Sequence, residues 1–307
     1  MFRLVLLDMD MTLIPFQHLT VTPQGMRAVH ELIDAGIHVG PASGRGLGDL
    51  KAQFCGDESC LESAVVSNGC QIIACGRTIS RSPLDRGELE AALAVVKDIP
   101  DVFFTINDEE HHYILGGTEQ EARVRFDRWV DAEFRELKHF PEQDLIKVNL
   151  TFCGDYSQAK QVVARLEPLT PSLDFCVLNG HVADIMPKGL DKAAGARMLV
   201  EHYGITADDV LVFGDSDNDL PLFRCFPNAV AMANAIPAVR DLARWHIGPC
   251  TEDACAEALL ELAAATRAGR EPAWMSPEAD AAALDRALHD EHVSAAYLQS
   301  LWSKKEA

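Results

Sequence analysis

Apolar and polar positions follow one another in two different styles along this chain, and the change between them divides it. The first style is a short unbroken apolar run followed by an amphipathic stretch. Leu4-Val5-Leu6-Leu7, Ile37 to Ala42, Ala64 to Ser67, Asp209 to Phe213 and residues 229–232 are runs of this kind. Apolar character without alternation predicts strands buried on both faces, the habit of a parallel sheet. After the first run Thr22-Pro23 supplies a helix cap and a first helical residue, Met26, Val29, Leu32 and Ile33 form one helical stripe, and Gly36 closes it. Strand, helix, strand with short connections is a right-handed parallel crossover. Further on, Asp191 caps a helix predicted over 192–203 and ended by Gly204, and two more helices are predicted at 237–244 and 252–267.

From about Ser82 the style changes. Residues 86–99 read as a helix, and 102–107 with 112–116 as paired strands. An amphipathic helix follows over 118–134, with Val124, Phe126 and Trp129 among its apolar positions. Leu145–Phe152 reads as a strand, 156–167 as a helix, and Leu173–Leu178 with Val182–Met186 as a hairpin turning at Asn179-Gly180. Helix and paired-strand units of this kind build an antiparallel sheet covered on one face by helices. The expected fold class is therefore α/β: a doubly wound, Rossmann-like parallel-sheet core from 1–82 and 189–265, with an α+β domain inserted at 83–188. Residues 266–307 are charged, with Leu284, Leu288, Tyr297, Leu301 and Trp302 as scattered apolar anchors. They read as a helical extension on the surface or at a contact between copies of the chain.

Composition narrows the class of partner. The chain has 307 residues, 48% apolar and 24% charged, as in an ordinary globular protein, and its formal net charge is −20. That balance argues against nucleic acid, whose binding draws on Lys and Arg. No apolar run approaches the ~18 residues of a membrane span, and the N-terminus lacks a signal-peptide order of segments, so a cytoplasmic location is expected. Nine cysteines, an odd number, fit free thiols, and the spacing of Cys55/Cys60 and of Cys70/Cys75 is not that of a zinc knuckle. His111-His112 and His181 carry no chemical signal.

The chemistry gathers at the ends of the apolar runs. Asp8 and Asp10 leave the first, Ser43-Gly44-Arg45 the second, Asp215, Asn218 and Asp219 the fourth, and Lys192 begins its helix. Open α/β sheets bind ligands in the crevice outside the carboxyl ends of their strands. Two carboxylates as close as Asp8 and Asp10 need a shared proton or cation. In this order the residues resemble the motifs of haloacid dehalogenase (HAD) superfamily phosphatases. Ser67-Asn68-Gly69, Pro187-Lys-Gly-Leu-Asp-Lys192, Gly214-Asp-Ser-Asp-Asn-Asp219 and Ala231-Met-Ala-Asn-Ala235 are similar to the Cof-like subfamily with a type II cap. The resemblance spans residues 1 to about 263.

The resemblance implies Asp8 as a phosphoryl-accepting nucleophile and Asp10 as general acid and base. Ser43, the amides around Gly44, Arg45, Asn68 and Asn218 would meet the substrate phosphate, and Lys192 would supply a fixed positive charge. Mg²⁺ would be held by Asp8, the carbonyl of Asp10, Asp215 and, directly or through water, Asp219. Several readings stay open at this stage. Arg45 can bind phosphate or pair with an acid, Asn68 can serve only its turn, and Lys188 competes with Lys192. Ser43 departs from the Thr usual in the family, and Pro41 fits its strand only near the end. The expected activity is Mg²⁺-dependent hydrolysis of a small phosphorylated metabolite, a sugar or polyol phosphate, through an aspartyl phosphate. A phosphosugar mutase and a non-catalytic binding protein on the same scaffold are the competitors.

Overall fold

The computed structural model describes all residues except 108–110, 126–133, 153–155, 179–180, 295–296 and 299–307. β1 (Leu4–Leu7) is followed by α1 (Pro23–Asp34), β2 (His38–Pro41) and α2 (Leu47–Gln53). The Thr22 hydroxyl accepts from Gly25 N at 2.9 Å and opens α1. β3 (Ser63–Val66), β4 (Gln71–Ala74) and β5 (Arg77–Arg81) form a three-stranded antiparallel sheet. The chain then runs through α3 (Arg86–Val96), β6 (Val102–Asn107), β7 (His112–Leu115), α4 (Glu119–Arg125), β8 (Phe134–Leu137), β9 (Val148–Phe152), α5 (Tyr156–Leu166), β10 (Leu173–Leu178) and β11 (Val182–Pro187). It returns through α6 (Lys192–Tyr203), β12 (Val210–Gly214), α7 (Leu220–Cys225), β13 (Ala229–Met232), α8 (Pro237–Arg240), β14 (Trp245–Ile247), α9 (Ala254–Ala268) and α10 (Pro277–His289).

The parallel sheet has the order β14-β13-β12-β1-β2. β1 lies between β2 and β12, so both its faces need cover, and its residues alternate between two clusters. Val5 and Leu7 pack with Val29 and Leu32 of α1 and Leu259 and Leu262 of α9. Leu4 and Leu6 pack with Ala193, Ala196 and Leu199 of α6. This accounts for an apolar run without alternation. Pro41 is the last residue of β2, where its missing N–H costs no ladder bond. α6 opens with Asp191 accepting from Ala194 N at 2.7 Å and ends at Gly204, φ 60°.

The segment between β5 and α6 carries a six-stranded sheet of order β10-β11-β9-β6-β7-β8. Phe104, Val148, Leu150 and Ile185 pack under α3 and α5 in a cluster of their own. The expectation of a helix over 118–134 fails at its end. α4 stops at Arg125, and Phe134 begins β8, which pairs parallel with β7 and makes the sheet mixed. Phe126, Trp129, Asn179, Gly180, Leu301 and Trp302 lie outside the described residues. The helix expected at 237–244 is shorter, and β5 and β14 were not anticipated.

Beyond α9 the chain turns back onto the parallel sheet. Trp274 donates to Ala258 O at 3.1 Å and meets Phe213 and Trp245 edge-on, each at 6.1 Å between ring centroids. Asp280 of α10 accepts from the backbone N–H of His246 at 2.7 Å and from its ring at 3.0 Å, covering the edge strand β14. Leu298 joins the main cluster and Tyr297 packs against it, while Leu288 is exposed. Among the described residues no helix is long and apolar enough to cross a membrane.

Candidate active site

The carboxyl ends of β1, β2 and β12 and the first turn of α6 converge. Asp8 N donates to Phe213 O at 3.0 Å, which locks the ends of β1 and β12 side by side. Beyond them the chain loops through Met11, φ 67°, and Asn234 holds this loop by donating to Met11 O at 2.9 Å while accepting from Cys250 N at 2.8 Å. Lys192, fully buried, donates from Nζ to Asp8 Oδ1 at 2.5 Å and to Asp219 Oδ1 at 2.6 Å. The other oxygen of Asp219 accepts from the N–H groups of Asp215 and Ser216 at 3.0 and 3.1 Å. Thr12 donates to Asp215 Oδ1 at 2.9 Å. Lys188, in contrast, is exposed.

Oxygens of Asp8, Asp215 and Asp219 all lie within 4.8 Å of one another. Taking three carboxylates out of water against a single ammonium leaves excess negative charge, and the proton affinities respond. Burial raises the Asp8 carboxyl to about 7 although Lys192 pulls it down, and Asp219 adds to the rise. Burial, then Asp8 and Asp219, holds Asp215 well above the usual carboxylate range. For Lys192 burial works to lower the value, but Asp219 and Asp8 outweigh it and keep the ammonium above its ordinary value. An all-oxygen, electron-rich, buried donor set is the chemistry that a hard cation satisfies, so these residues fit a metal.

Ser43 is buried at the end of β2, and its Oγ accepts from Arg45 N at 3.1 Å. Arg45 forks onto Asp10, with Nε to Oδ2 at 2.8 Å and Nη2 to Oδ1 at 3.0 Å. Asp10 and burial act in opposite senses on the guanidinium, and Asp10 prevails, raising its pKa. Of the two readings open for Arg45, the pairing with an acid is the arrangement found. The Ser67–Gly69 turn lies against this loop through Asn68 N to Ser43 O at 2.9 Å and Ser67 N to Arg45 O at 3.0 Å. Asn68 does more than turn the chain. Its Nδ2 donates to Asp184 of β11 at 2.6 Å, and its Oδ1 accepts from Asn218 at 3.4 Å. Asp184 also pairs with Lys147, just before β9.

The sequence reading therefore brings Asp8, Asp10, Ser43, Gly44, Arg45, Asn68, Lys192, Asp215, Asn218 and Asp219 to one place. Lys147, Asp184 and Thr12 go unmarked in that reading, and Asn234 stands within the Ala231–Ala235 motif without a task of its own. A lone charge within a strand, 37 residues from its partner, leaves no periodic trace. Beside Lys147 a cavity of about 330 Å³ lies between Ser67 and Gln71 on one side and Asn107 on the other. A second cluster, His30, Asp57 and Cys60, is chemically closed. His30 bonds Asp57 at 2.8 Å, and burial pushes the Cys60 thiol up to about 12, so it stays protonated.

A family model described as haloacid dehalogenase-like hydrolase matches residues 5–259. Among curated relatives, the 5-amino-6-(5-phospho-D-ribitylamino)uracil phosphatase YwtE of Bacillus subtilis (strain 168) is 26% identical over 267 residues, 78% of this chain and 90% of the relative. The HMP-PP phosphatase of Cronobacter sakazakii (strain ATCC BAA-894) is 26% identical over 266 residues, 84% of this chain and 95% of the relative. Among solved structures, the HAD subclass IIB sugar phosphatase BT4131 superposes with a TM-score of 0.69 at 20% identity, covering 87% of this chain and 99% of that one. SMU.1108c from Streptococcus mutans UA159 gives 0.73 at 19% identity, covering 84% and 98%.

Proposed function

Because the chain belongs to the haloacid dehalogenase-like hydrolase family, we propose that it is a Mg²⁺-dependent phosphatase that releases phosphate from a small sugar or polyol phosphate through an aspartyl phosphate on Asp8. The observation that carries this reading is the buried Lys192 between Asp8 and Asp219, with Asp215 alongside, at the ends of β1 and β12. A nucleophilic carboxylate must approach an anionic ester, and such a site needs fixed positive charge to hold the two together. Asp8, Asp215 and the backbone carbonyl of Asp10 would hold Mg²⁺, with Asp219 behind them through water or directly. When bound, the ion offsets the charge between carboxylate and phosphate and polarises the transferring group.

In the first step an oxygen of Asp8 forms a bond to phosphorus as the ester P–O bond breaks, and Asp10 gives its proton to the leaving oxygen. In the second, Asp10 takes a proton from water, the water oxygen bonds to phosphorus, and the bond to Asp8 breaks, restoring both residues. Arg45 engages both oxygens of Asp10, so it must exchange them for a phosphate oxygen before Asp10 can move a proton. Ser43 and the Gly44 amide receive the remaining phosphate oxygens, and Asn218 lines the substrate side. The cavity beside Lys147 has a mixed lining, with Ser67, Gln71 and Asn107 among apolar residues such as Leu47 and Ile106, and its polar groups support a hydroxylated leaving group; the Ser67 hydroxyl is buried with no partner among the described residues.

Two measurements test this. Phosphate release from sugar, polyol and nucleotide monophosphates should need Mg²⁺, stop with EDTA and be fastest on a hydroxylated substrate; release undiminished by EDTA rejects the metal, and a nucleotide in first place rejects the substrate class. The second follows stability against pH without metal. Asp8 has its carboxyl raised from 3.8 to about 7, so its protonated form contributes stability that is complete below the unfolded value and lost as pH rises through about 7. The EDTA-treated protein should melt lower at pH 8 than at pH 6, and Mg²⁺ should recover more at pH 8. Equal Mg²⁺ stabilisation at both pH values would speak against the acid cluster as the binding site.

A further inference from the structure

The six-stranded sheet turns a polar row toward the catalytic loops. Thr105 of β6, Asn149 of β9, Asp184 of β11 and Cys176 of β10 are successive cross-strand neighbours, so they share one face. Their apolar neighbours Ile106, Val148 and Ile185 share the other face, under α3 and α5. Asp184 of this row accepts from Asn68 at 2.6 Å, which sets the row against the Ser67–Gly69 turn of the core.

From the middle of the row a hydrogen-bonded chain crosses to the core. Lys147 donates to Asp184, Asn68 donates to Asp184 at 2.6 Å, and Asn218 donates to Asn68 at 3.4 Å. Lys147, Asp184 and Asn68 are all buried. A Cβ on Gly44 would lie 2.6 Å from Asp184 Oδ2 and 3.1 Å from Asn68 Nδ2, so only glycine admits the carboxylate onto this loop. A Cβ on Gly46 would lie 3.7 Å from the Lys147 stem. Ser67 and Asn68 stand at φ 51° and 52°, a left-handed pair without glycine that persists only where surrounding bonds hold it.

We propose that Lys147 and Asp184 are positioning residues for the phosphate-binding loop: docked from the inserted segment, their ion pair orients the Asn68 amide and clamps Ser43-Gly44-Arg45 in its binding shape. This rests on the phosphatase reading and goes beyond it, since it couples the seating of the cap to phosphate affinity whatever the leaving group. Asp184 carries the coupling, because its two oxygens receive Lys147 and Asn68 separately. Lys147 neutralises it, so the carboxylate can rest on a loop meant for an anion.

The physics of buried ion pairs supplies a discriminating test. Removing one partner strands a buried charge, whereas replacing both by apolar residues of similar size restores stability. Lys147→Met and Asp184→Leu should each lower the melting temperature, and the double variant should regain it. Inorganic phosphate, titrated calorimetrically with Mg²⁺ present, should bind the double variant about tenfold more weakly, the loss of roughly one charge-assisted hydrogen bond. KM should rise by the same factor for p-nitrophenyl phosphate and for a sugar phosphate. Phosphate affinity that recovers with the melting temperature makes the pair merely structural, and a loss confined to the sugar phosphate makes it a leaving-group contact; either overturns the proposal. Asp184→Asn, closer in shape, gives a second route: its effect on phosphate affinity should vanish in an Asn68→Ala background, and additive losses would contradict action through Asn68. A wild-type protein that neither binds nor releases phosphate sinks the phosphatase reading together with this one, whereas variants matching an active wild type sink this one alone.

Discussion

Asp8→Asn should lose phosphate release by a factor on the order of 10⁴ or more, the scale on which enzymes lose turnover when a covalent nucleophile is removed. The amide matches the carboxylate in shape, and its oxygen can still accept from Lys192, so the network around it keeps its geometry. What disappears is the charge proposed to attack phosphorus and one of three mutually repelling acids. The metal-free variant should therefore melt no lower than wild type at pH 8, and it should lose the pH-dependent part of the stability. Single-turnover phosphate release together with acid-quenched trapping of a phosphorylated chain separates the two effects. Full turnover by Asp8→Asn, or a trapped phosphoryl group on another residue, would remove Asp8 from the role of nucleophile.

Lys192→Met should damage both fold and turnover. The ammonium is wholly buried between Asp8 and Asp219, and methionine fills its volume while leaving the carboxylates without their cation. Stranding buried charge in this way costs roughly 3–5 kcal/mol, less whatever protonation of Asp8 and Asp215 relieves. A lower pH or added Mg²⁺ should restore part of the stability. Turnover should fall by about 10²–10³ even where the protein is folded, as expected when a preorganised charge at the reacting phosphate is lost. Lys188→Met is the control: Lys188 is exposed in the turn that precedes α6, and its substitution should change little. Equal losses at the two lysines would undo the assignment of Lys192.

Much of this site was legible because its residues sit where chain pattern and chemistry coincide. Asp8, Ser43 and Asp215 each end an apolar run, and Asp191 marks the start of the helix that delivers Lys192. A run, a cap and a charge can all be read within a few residues. What escaped depends on partners distant in sequence. Phe134 looked like the end of a helix because 118–134 has helical apolar spacing, yet a place beside β7 makes it a strand. Arg77–Arg81 is mostly exposed and polar, so β5 owes its existence to β4 rather than to its own pattern. Trp245–Ile247 is too short to announce itself and is defined by β13 on one side and Asp280 on the other. The extension read as surface helix turns Trp274 inward, which no charge count foretells.

The two faces of β1 and the segment from α3 to β11 do not share a core. The apolar cluster under α3 and α5 is separate from the two that sandwich the parallel sheet. On the proposed reading, substitutions in the segment that would face the leaving group fall on one set of packing contacts, and polar links such as Asp184 to Asn68 connect that segment to the loops beside Asp8 and Asp215. Changes in what such a protein accepts would then cost the parallel sheet little packing, so long as the polar links to the phosphate loop are kept. A lineage of such proteins would diversify its substrates first and its chemistry last.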